Sequence, residues 1–187
     1  MNEIIEEIDN DVDPVEIVRE LIANSHGYLG FSTISSPSPA PINHHFGKLS
    51  EKDITDNIVG EYFRNDPDNN GWPFISLAQV AFDGTTPLIL ISDMTDHTRN
   101  IVNDNRVSLL IDGTTGDNRM NSARVALMGK ATVVDKQKYR DVFLAQHPKA
   151  KTYFDFGDFS VYAMEILYAR LNAGFGLAFW LDGSELR

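Results

Sequence analysis

The sequence predicts a mainly β protein, in which an antiparallel sheet closes into a barrel with few helices around it. Short alternating apolar segments follow one another from Trp72 onward, and tight turns such as Asp83-Gly84 separate them. Parallel βαβ units would need a long crossover, usually a helix, between successive strands. Because most of these segments lie too close together for such crossovers, antiparallel pairing is the simpler interpretation.

The first predicted elements are a helix and a strand within residues 1–34. The stretch Asp13–Glu16 combines a capping carboxylate, a proline at the first helical position and a glutamate at the capping-box position. Apolar residues recur at helical spacing up to Ile22, and Gly27 ends the helix. Residues 28–34 then alternate as a strand does.

Residues 35–71 interrupt this pattern and predict a long excursion from the core. SSPSPAPINHHFGK is rich in Ser and Pro, and RNDPDNNG is a cluster of turn-forming residues. The segment DITDNIVGEYF between them is compatible with a short helix. Loops of this length are often functional.

The barrel core is predicted in residues 72–187. Asp135 is expected to cap a helix whose apolar residues, Tyr139, Val142 and Phe143, have helical spacing. A chain of 187 residues is long enough for one domain with a real core, so residues 1–187 are expected to form a single domain. The strands of the core are expected at 72–82, 87–92, 107–112, 124–134, 159–166 and 178–181.

The composition excludes several kinds of partner and chemistry. Acidic residues number 27 and basic residues 16, which argues against nucleic acid because phosphate binding needs clustered Lys and Arg. The chain has no cysteine, so disulfides and thiolate chemistry are excluded. We expect no membrane span, since no apolar run is long enough, and a cytoplasmic location, since the acidic start does not resemble a secretory signal.

A candidate anion site lies in the stretch SDMTDHTR. Ser92 ends a strand, and Asp93 or Thr95 is a credible N-cap for a short helix. The first turn of a helix carries unpaired N–H groups and the positive end of the helix dipole, so it binds phosphate readily. Thr98 and Arg99 are placed to hold the same anion. A capped surface helix with a solvated arginine is the alternative, and both stay open.

Histidines give weaker signals. His97 alone is more typical of a surface or capping histidine than of a base or a ligand. The adjacent pair His44-His45 suggests a metal or haem iron, but neighbouring positions point apart in regular structure and no third ligand has a recognisable spacing. We therefore assign no metal site.

Two arginines and several aromatic residues also have two interpretations. Arg124 and Arg170 either neutralise a ligand or lie at strand edges. Aromatic residues such as Trp72 and Tyr153 either stack on a planar ligand or belong to the core. The sequence contains no paired-carboxylate motif, nucleophile elbow or phosphate-binding loop, so no catalytic residue is assigned and any redox chemistry needs a cofactor.

Taken in order, six segments resemble the FMN-binding split-barrel superfamily of pyridoxamine 5′-phosphate oxidase. The similarity is greatest to its branch of haem-utilisation and cellular-repressor-like proteins. The segments span most of residues 71–181 and are GWPFISLAQVAFD, LILISDMTDHTRNIVNDNRVSLLIDG, ARVALMGKATVVD, FLAQHPKA, YFDFGDFSVYAMEI and ARLNAGFGLAFWL.

The resemblance implies a six-stranded antiparallel split barrel, a homodimer, and one FMN in each of two clefts at the subunit interface. Residues 76–79 match the strand that faces the flavin. Ser92 and Asp93 match the family's Thr-Asn pair, while Thr98 and Arg99 lie near its phosphate ligands. The matching cofactor-binding positions on residues 76–79 are Ser76, Leu77, Ala78 and Gln79.

The later part of the chain supplies three more matching positions. Arg124 falls on a polar position that reaches the flavin, usually from the other subunit. Arg170 and Asn172 lie near a position on a late strand that closes the cleft.

Departures from the family pattern limit what the resemblance implies. The oxidase has arginine at the position of Ser76 and a phosphate-binding lysine near Ala81, so we expect FMN to bind more weakly or through other cations. The oxidase's C-terminal substrate-binding segment and the haem-utilisation branch's C-terminal haem domain have no counterpart. Pyridoxamine phosphate oxidation and haem degradation are therefore not expected.

Three hypotheses follow for the function. The first is a homodimeric FMN oxidoreductase that acts on an unidentified small molecule. The second is a binding or regulatory protein whose flavin cleft is empty or blocked. The third is a haem-binding or haem-utilisation protein, which His44-His45 motivates.

Overall fold

The computed structural model describes residues 13–25, 27–35, 71–114, 117, 121–174 and 176–187. Helices α1 to α3 are Pro14–Ala23, Asp96–Asn103 and Arg140–Gln146. Strands β1 to β7 are Gly27–Ile34, Pro73–Asp83, Thr86–Ser92, Arg106–Asp112, Arg124–Val134, Phe159–Gly174 and Leu177–Asp182. Short 3₁₀ segments are Lys136–Tyr139, Pro148–Thr152 and Gly183–Leu186.

The sheet is antiparallel and closes into a barrel, which confirms the predicted fold class. Its strand order is β3-β2-β1-β4-β5-β6-β7, and a further pairing of β3 with β6 closes the first six strands. β7 extends the sheet beyond the closed part. The structure thus combines a six-stranded barrel with one additional strand.

Strand β6 is where the barrel opens. Residues 159–163 of β6 pair with β3, and residues 168–174 pair with β7 along the same edge. The register with β5 shifts between Met128 and Gly129, as in a β-bulge. A Cβ atom at Gly129 would lie 1.9 Å from the carbonyl oxygen of Glu165, so only glycine fits this close approach. The sequence predicted only residues 159–166 of this strand, which in fact continues to Gly174.

Helix α1 begins as the sequence predicts. The Asp13 carboxylate accepts a hydrogen bond from the backbone N–H of Val15 at 2.9 Å, and proline occupies the first helical position. Val18 and Ile22 are buried in the barrel core together with the inward residues of the strands. Each such side chain stabilises the fold by roughly 1.5–3 kcal/mol through burial.

Helix α3 covers the end of β2 that extends beyond β1. Gly27 pairs with Val80, so Phe82 lies past the start of β1 and has no residue of β1 opposite it. The Gln146 amide supplies both missing bonds, accepting from Phe82 N at 2.9 Å and donating to Phe82 O at 2.8 Å. A second apolar cluster, which includes Phe143 and Phe154, packs beneath this helix.

None of the helices in the described parts of the chain is long and apolar enough to cross a membrane. The segment DITDNIVGEYF, for which the sequence suggests a helix, and the pair His44-His45 lie outside the described residues.

Candidate functional site

A mostly apolar pocket of about 270 Å³ lies between β2, the end of β3 and the start of α2. Its wall contains several of the residues that the family resemblance selected, and none of the described residues that line it is a lysine or an arginine. The lining residues are Leu77, Ala78, Gln79, Leu90, Ile91, Ser92, Thr95, His97, Tyr153 and Phe159.

The turn from β3 to α2 uses its hydroxyl groups to hold its own backbone. The carbonyl oxygen of Ser92 accepts hydrogen bonds from Thr95 Oγ1 at 2.8 Å and from Thr98 Oγ1 at 2.7 Å. Thr98 is buried, with 3% of its surface exposed. The Ser92 hydroxyl donates to Asp158 Oδ2 at 2.7 Å. The hydroxyls proposed from the sequence to hold an anion therefore already have partners within the chain.

The turn and the start of α2 carry two acidic side chains, Asp93 and Asp96, and one basic side chain, Arg99. Arg99 Nη1 lies 3.2 Å from Asp96 Oδ1, and the guanidinium side chain is 13% exposed. Asp96 stands in the first turn of α2, where a carboxylate meets the positive end of the helix dipole. Asp93 is exposed. Burial raises the pKa of Tyr162, and the negative charge of Asp93 raises it further.

His97 lies at the pocket wall with one ring nitrogen paired and the other unpaired. Its Nδ1 atom shares a hydrogen bond with Ser76 Oγ at 3.0 Å, and its ring contacts Phe31 edge-on at 5.8 Å. Among the described residues, His97 Nε2 is the buried side-chain polar atom that lacks a hydrogen-bond partner. Burial lowers the pKa of His97, while the nearby Asp96 charge opposes this shift. The neutral imidazole is therefore favoured at neutral pH.

The opposite side of the pocket is aromatic. The Tyr153 hydroxyl donates to Gln79 Oε1 at 2.8 Å, which joins the segment before β6 to the outer side of β2. The Tyr153 and Phe159 rings pack 5.3 Å apart in a tilted arrangement. Together they form an apolar aromatic wall with a polar tip, against which an aromatic ligand can pack.

The later residues selected by the resemblance lie on the outer side of the barrel. Val125 and Leu171 are fully buried inside, so their neighbours Arg124, Arg170 and Asn172 point outward. Arg124 pairs with Asn172 across the sheet, and the Arg170 guanidinium lies 5.4 Å from the centre of the Trp180 ring.

One row of outward positions runs across six strands. By register, Leu77 lies beside Gly30, Gly30 beside Leu110, Leu110 beside Ala126, Ala126 beside Arg170 and Arg170 beside Trp180. We call the exposed apolar residues on and next to this row the outer apolar face. It comprises Ile75, Leu77, Leu110, Tyr168 and Trp180, which are between 48% and 76% exposed.

A single chain does not bring the two groups of selected residues together. Leu77 at the pocket and Arg170 are four strand spacings apart, or roughly 19 Å along the sheet at about 4.8 Å per strand. Ser76, Ala78, Ser92 and Thr98 lie at the pocket end. Arg124 and Asn172 lie with Arg170.

Sequence reasoning missed the contribution of His97. A signal was present, because Ser76 occupies an inward position in line with the buried residues Ala78 and Val80. A hydroxyl at a core position needs a polar partner, and His97 is that partner. The connection became visible only when α2 was placed over β2. The described residues also hold no group of three or more potential metal-ligating side chains.

This barrel, with its switch of partners along β6 and a pocket at the end of β3, defines the chain as a split-barrel protein. The chain belongs to the family described as CREG, beta-barrel, whose model matches residues 63–186. The predicted relation to the split-barrel superfamily is thereby confirmed.

The chain is similar to a curated plant protein and to several solved structures. It is 34% identical over 117 residues to "Non-canonical heme oxygenase HOZ, chloroplastic" of Arabidopsis thaliana, covering 60% of this chain and 36% of that protein. A haem-binding protein from Mycobacterium smegmatis has the same fold, with a TM-score of 0.69 and 23% identity, covering 94% of this chain and 61% of that one.

A third relative comes from Clostridium acetobutylicum and is related to general stress protein 26 of the pyridoxinephosphate oxidase family. Its TM-score is 0.58 at 11% identity, over 92% of this chain and 96% of that one. The chain spans about a third of the length of the Arabidopsis protein and less than two thirds of the mycobacterial one.

Proposed function

We propose that the protein binds haem in a cleft between two copies of the barrel. The observation that carries this is the division of the site: a mostly apolar pocket, with no lysine or arginine among the described residues that line it, lies at one end of the sheet, and arginines lie at the other. Haem matches these two parts of the site, because it has a flat apolar ring and two carboxylates. The haem oxygenase from Arabidopsis and the haem-binding protein from Mycobacterium smegmatis favour the same ligand.

The residues of this chain fit such a ligand on both counts. Arg124 and Arg170 supply guanidinium groups for carboxylates, which they bind in a fork geometry. Leu77, Tyr153 and Phe159 supply apolar contact for the ring. When bound, haem supplies iron and oxygen chemistry that no side chain here provides.

A homodimer completes the site in this proposal. The outer apolar face is larger than scattered surface residues would explain, and a second copy of the chain would cover it. Because the pocket and the arginines are roughly 19 Å apart along one sheet, the partner's arginines are the ones that would reach the pocket. A stable interface needs about 800 Å² from each partner.

FMN is the second candidate, and with it oxidoreductase activity on a small molecule. The resemblance to pyridoxamine 5′-phosphate oxidase and the Clostridium relative favour FMN. Against it, the hydroxyls of Thr95 and Thr98 are bonded to Ser92 and the Arg99 charge is paired with Asp96. A cytoplasmic location is part of the same proposal and stays a prediction.

Titration of the purified protein with haemin and, separately, with FMN tests this proposal. We expect a shifted Soret band that saturates at one haemin per chain, and much weaker binding of FMN than of haemin. The double variant Arg124→Ala, Arg170→Ala should bind haemin about a hundredfold more weakly or worse, since each charge-assisted bond contributes about 1.5–3 kcal/mol and two such bonds are lost.

Arg106→Ala is the matched control, because Arg106 is an exposed arginine that is paired with Asp104. Its haemin affinity should equal that of the wild type. Saturable flavin binding without a Soret shift would replace haem by FMN as the ligand.

A further inference from the structure

The side chains around the pocket between β2 and α2 are poorly suited to hold a phosphate group. A phosphate dianion leaves water only where charged or N–H donors replace its hydration, because an unpaired buried charge is very costly. Within the described parts of the chain, no lysine or arginine lines the pocket. The nearest guanidinium that the turn offers, Arg99, is paired with Asp96.

Hydroxyl donors near the pocket are also engaged. Thr95 and Thr98 both donate to the Ser92 carbonyl oxygen, and Ser92 donates to Asp158. To bind an anion, these hydroxyls would have to give up bonds at 2.7–2.8 Å that hold the turn. Each lost buried bond costs roughly 1–3 kcal/mol.

His97 occupies the place where a cation would be useful. Its Nδ1 atom is fixed by Ser76, so the ring is held against β2, and burial lowers its pKa so that the ring carries no charge at neutral pH. Its Nε2 atom is buried and has no hydrogen-bond partner among the described residues. Asp93 is an exposed carboxylate in the turn, and its negative charge repels an anion.

From these contacts we infer that the pocket takes the uncharged, flat edge of its ligand and rejects a phosphate, and that His97 determines this choice. The inference rests on the proposed function for the identity of the natural ligand. It assigns the two ends of that ligand: the uncharged edge belongs to the pocket, and the acidic groups belong to the arginines on the outer side of the barrel.

Riboflavin and FMN are suitable probes, because they share one ring system and differ by a phosphate. The wild type should bind FMN no more tightly than riboflavin, as measured by quenching of flavin fluorescence. His97→Lys places an ammonium group in the pocket and should raise the preference for FMN over riboflavin at least tenfold, which is the effect of one added charged contact.

His97→Gln is the matched control, since it is neutral and keeps an amide near the position of Nε2. Its preference should stay within about twofold of the wild type. Far-UV circular dichroism and urea unfolding of each variant establish that it is folded. Ser76→Lys brings a cation to the same wall from β2 and should have the same effect if His97→Lys fails to fold.

Two results would overturn the inference. One is a wild type that binds FMN ten or more times tighter than riboflavin. The other is a folded lysine variant whose preference does not change. Haemin titration of the same samples separates this inference from the proposed function. If the wild type shows no Soret shift but the flavin preferences are as expected, haem is not the ligand, while the inference that the pocket rejects phosphate still holds.

Discussion

The pocket beside α2 and the outer apolar face differ in how many of their side chains are hydrogen-bonded or buried within the single chain. At the pocket, nearly every polar side chain has a partner within the chain, and His97 Nε2 is the exception. On the outer apolar face, Leu77, Leu110 and Trp180 remain between 48% and 69% exposed. The first region is completed by folding, whereas the second is left exposed by the single chain.

This difference separates stability from association. Substitutions at the pocket should mainly change the free energy of unfolding, because they break contacts already made in one chain. Substitutions on the outer face should mainly change how two copies associate. The following predictions test that separation, beginning with the largest effect.

Phe31→Ala should lower the free energy of unfolding by about 3–5 kcal/mol. Phe31 is fully buried and packs against the His97 ring, so its removal leaves a cavity between the core and the pocket. Urea unfolding followed by circular dichroism measures the change. Val102→Ala is the control, since Val102 is 74% exposed and its truncation should change stability by less than about 0.5 kcal/mol. Equal effects of the two variants would contradict the division.

Leu110→Glu with Trp180→Glu should weaken dimer association about a hundredfold or more while the barrel stays folded. Large apolar side chains at the centre of an interface dominate its affinity, and a buried unpaired carboxylate opposes contact. Sedimentation equilibrium gives the dissociation constant. Val102→Glu places the same charge on α2 and should leave association unchanged. A wild type that is monomeric at tens of micromolar would refute the proposed dimer.

Thr98→Val should lower the free energy of unfolding by roughly 1–2 kcal/mol, because the buried Ser92 carbonyl loses a hydrogen bond of 2.7 Å. Thr95→Val should have a smaller effect, since Thr95 is partly exposed and water replaces its hydroxyl. Urea unfolding of both variants makes the comparison. If Thr98→Val kept full stability but lost affinity for flavin, the hydroxyl would serve a ligand instead of the turn.

The pH dependence of stability should show a small contribution from His97. Its pKa in the folded chain is below the ordinary value of 6.5, because burial disfavours the charged ring. As pH falls through 6.5 the unfolded chain takes up the proton first, so stability present above this pH is progressively lost. The loss stops growing once the pH is below the pKa of the folded chain.

The contribution of His97 is measured from the urea midpoints of the wild type and of His97→Gln, each determined at pH 7.5 and at pH 5. The wild type should lose more stability between the two than His97→Gln does, since carboxylates contribute equally to both. A variant with the same pH dependence as the wild type would show that His97 titrates normally.

Much of the barrel was predictable because its signals are local. Alternation placed β5 at Arg124–Val134 without error, and the capping residues located the start of α1 at Pro14. The far half of β6 was missed because its partner changes from β3 to β7 at a bulge, and the alternation is interrupted there. Likewise, the phosphate ligands suggested by residue type were hydroxyls whose bonds depend on how a turn closes.

The sequence by itself determined that the protein is a mainly β barrel with few cations, since periodicity and charge are properties of residues in order. Only the tertiary structure decided which of these residues meet. It placed His97 against Ser76, 21 positions apart in the sequence. It also placed Arg170 four strand spacings from Leu77 along the row of outward positions. Such encounters depend on strand register and on the helix that folds over β2, and neither is encoded by the spacing of any single segment.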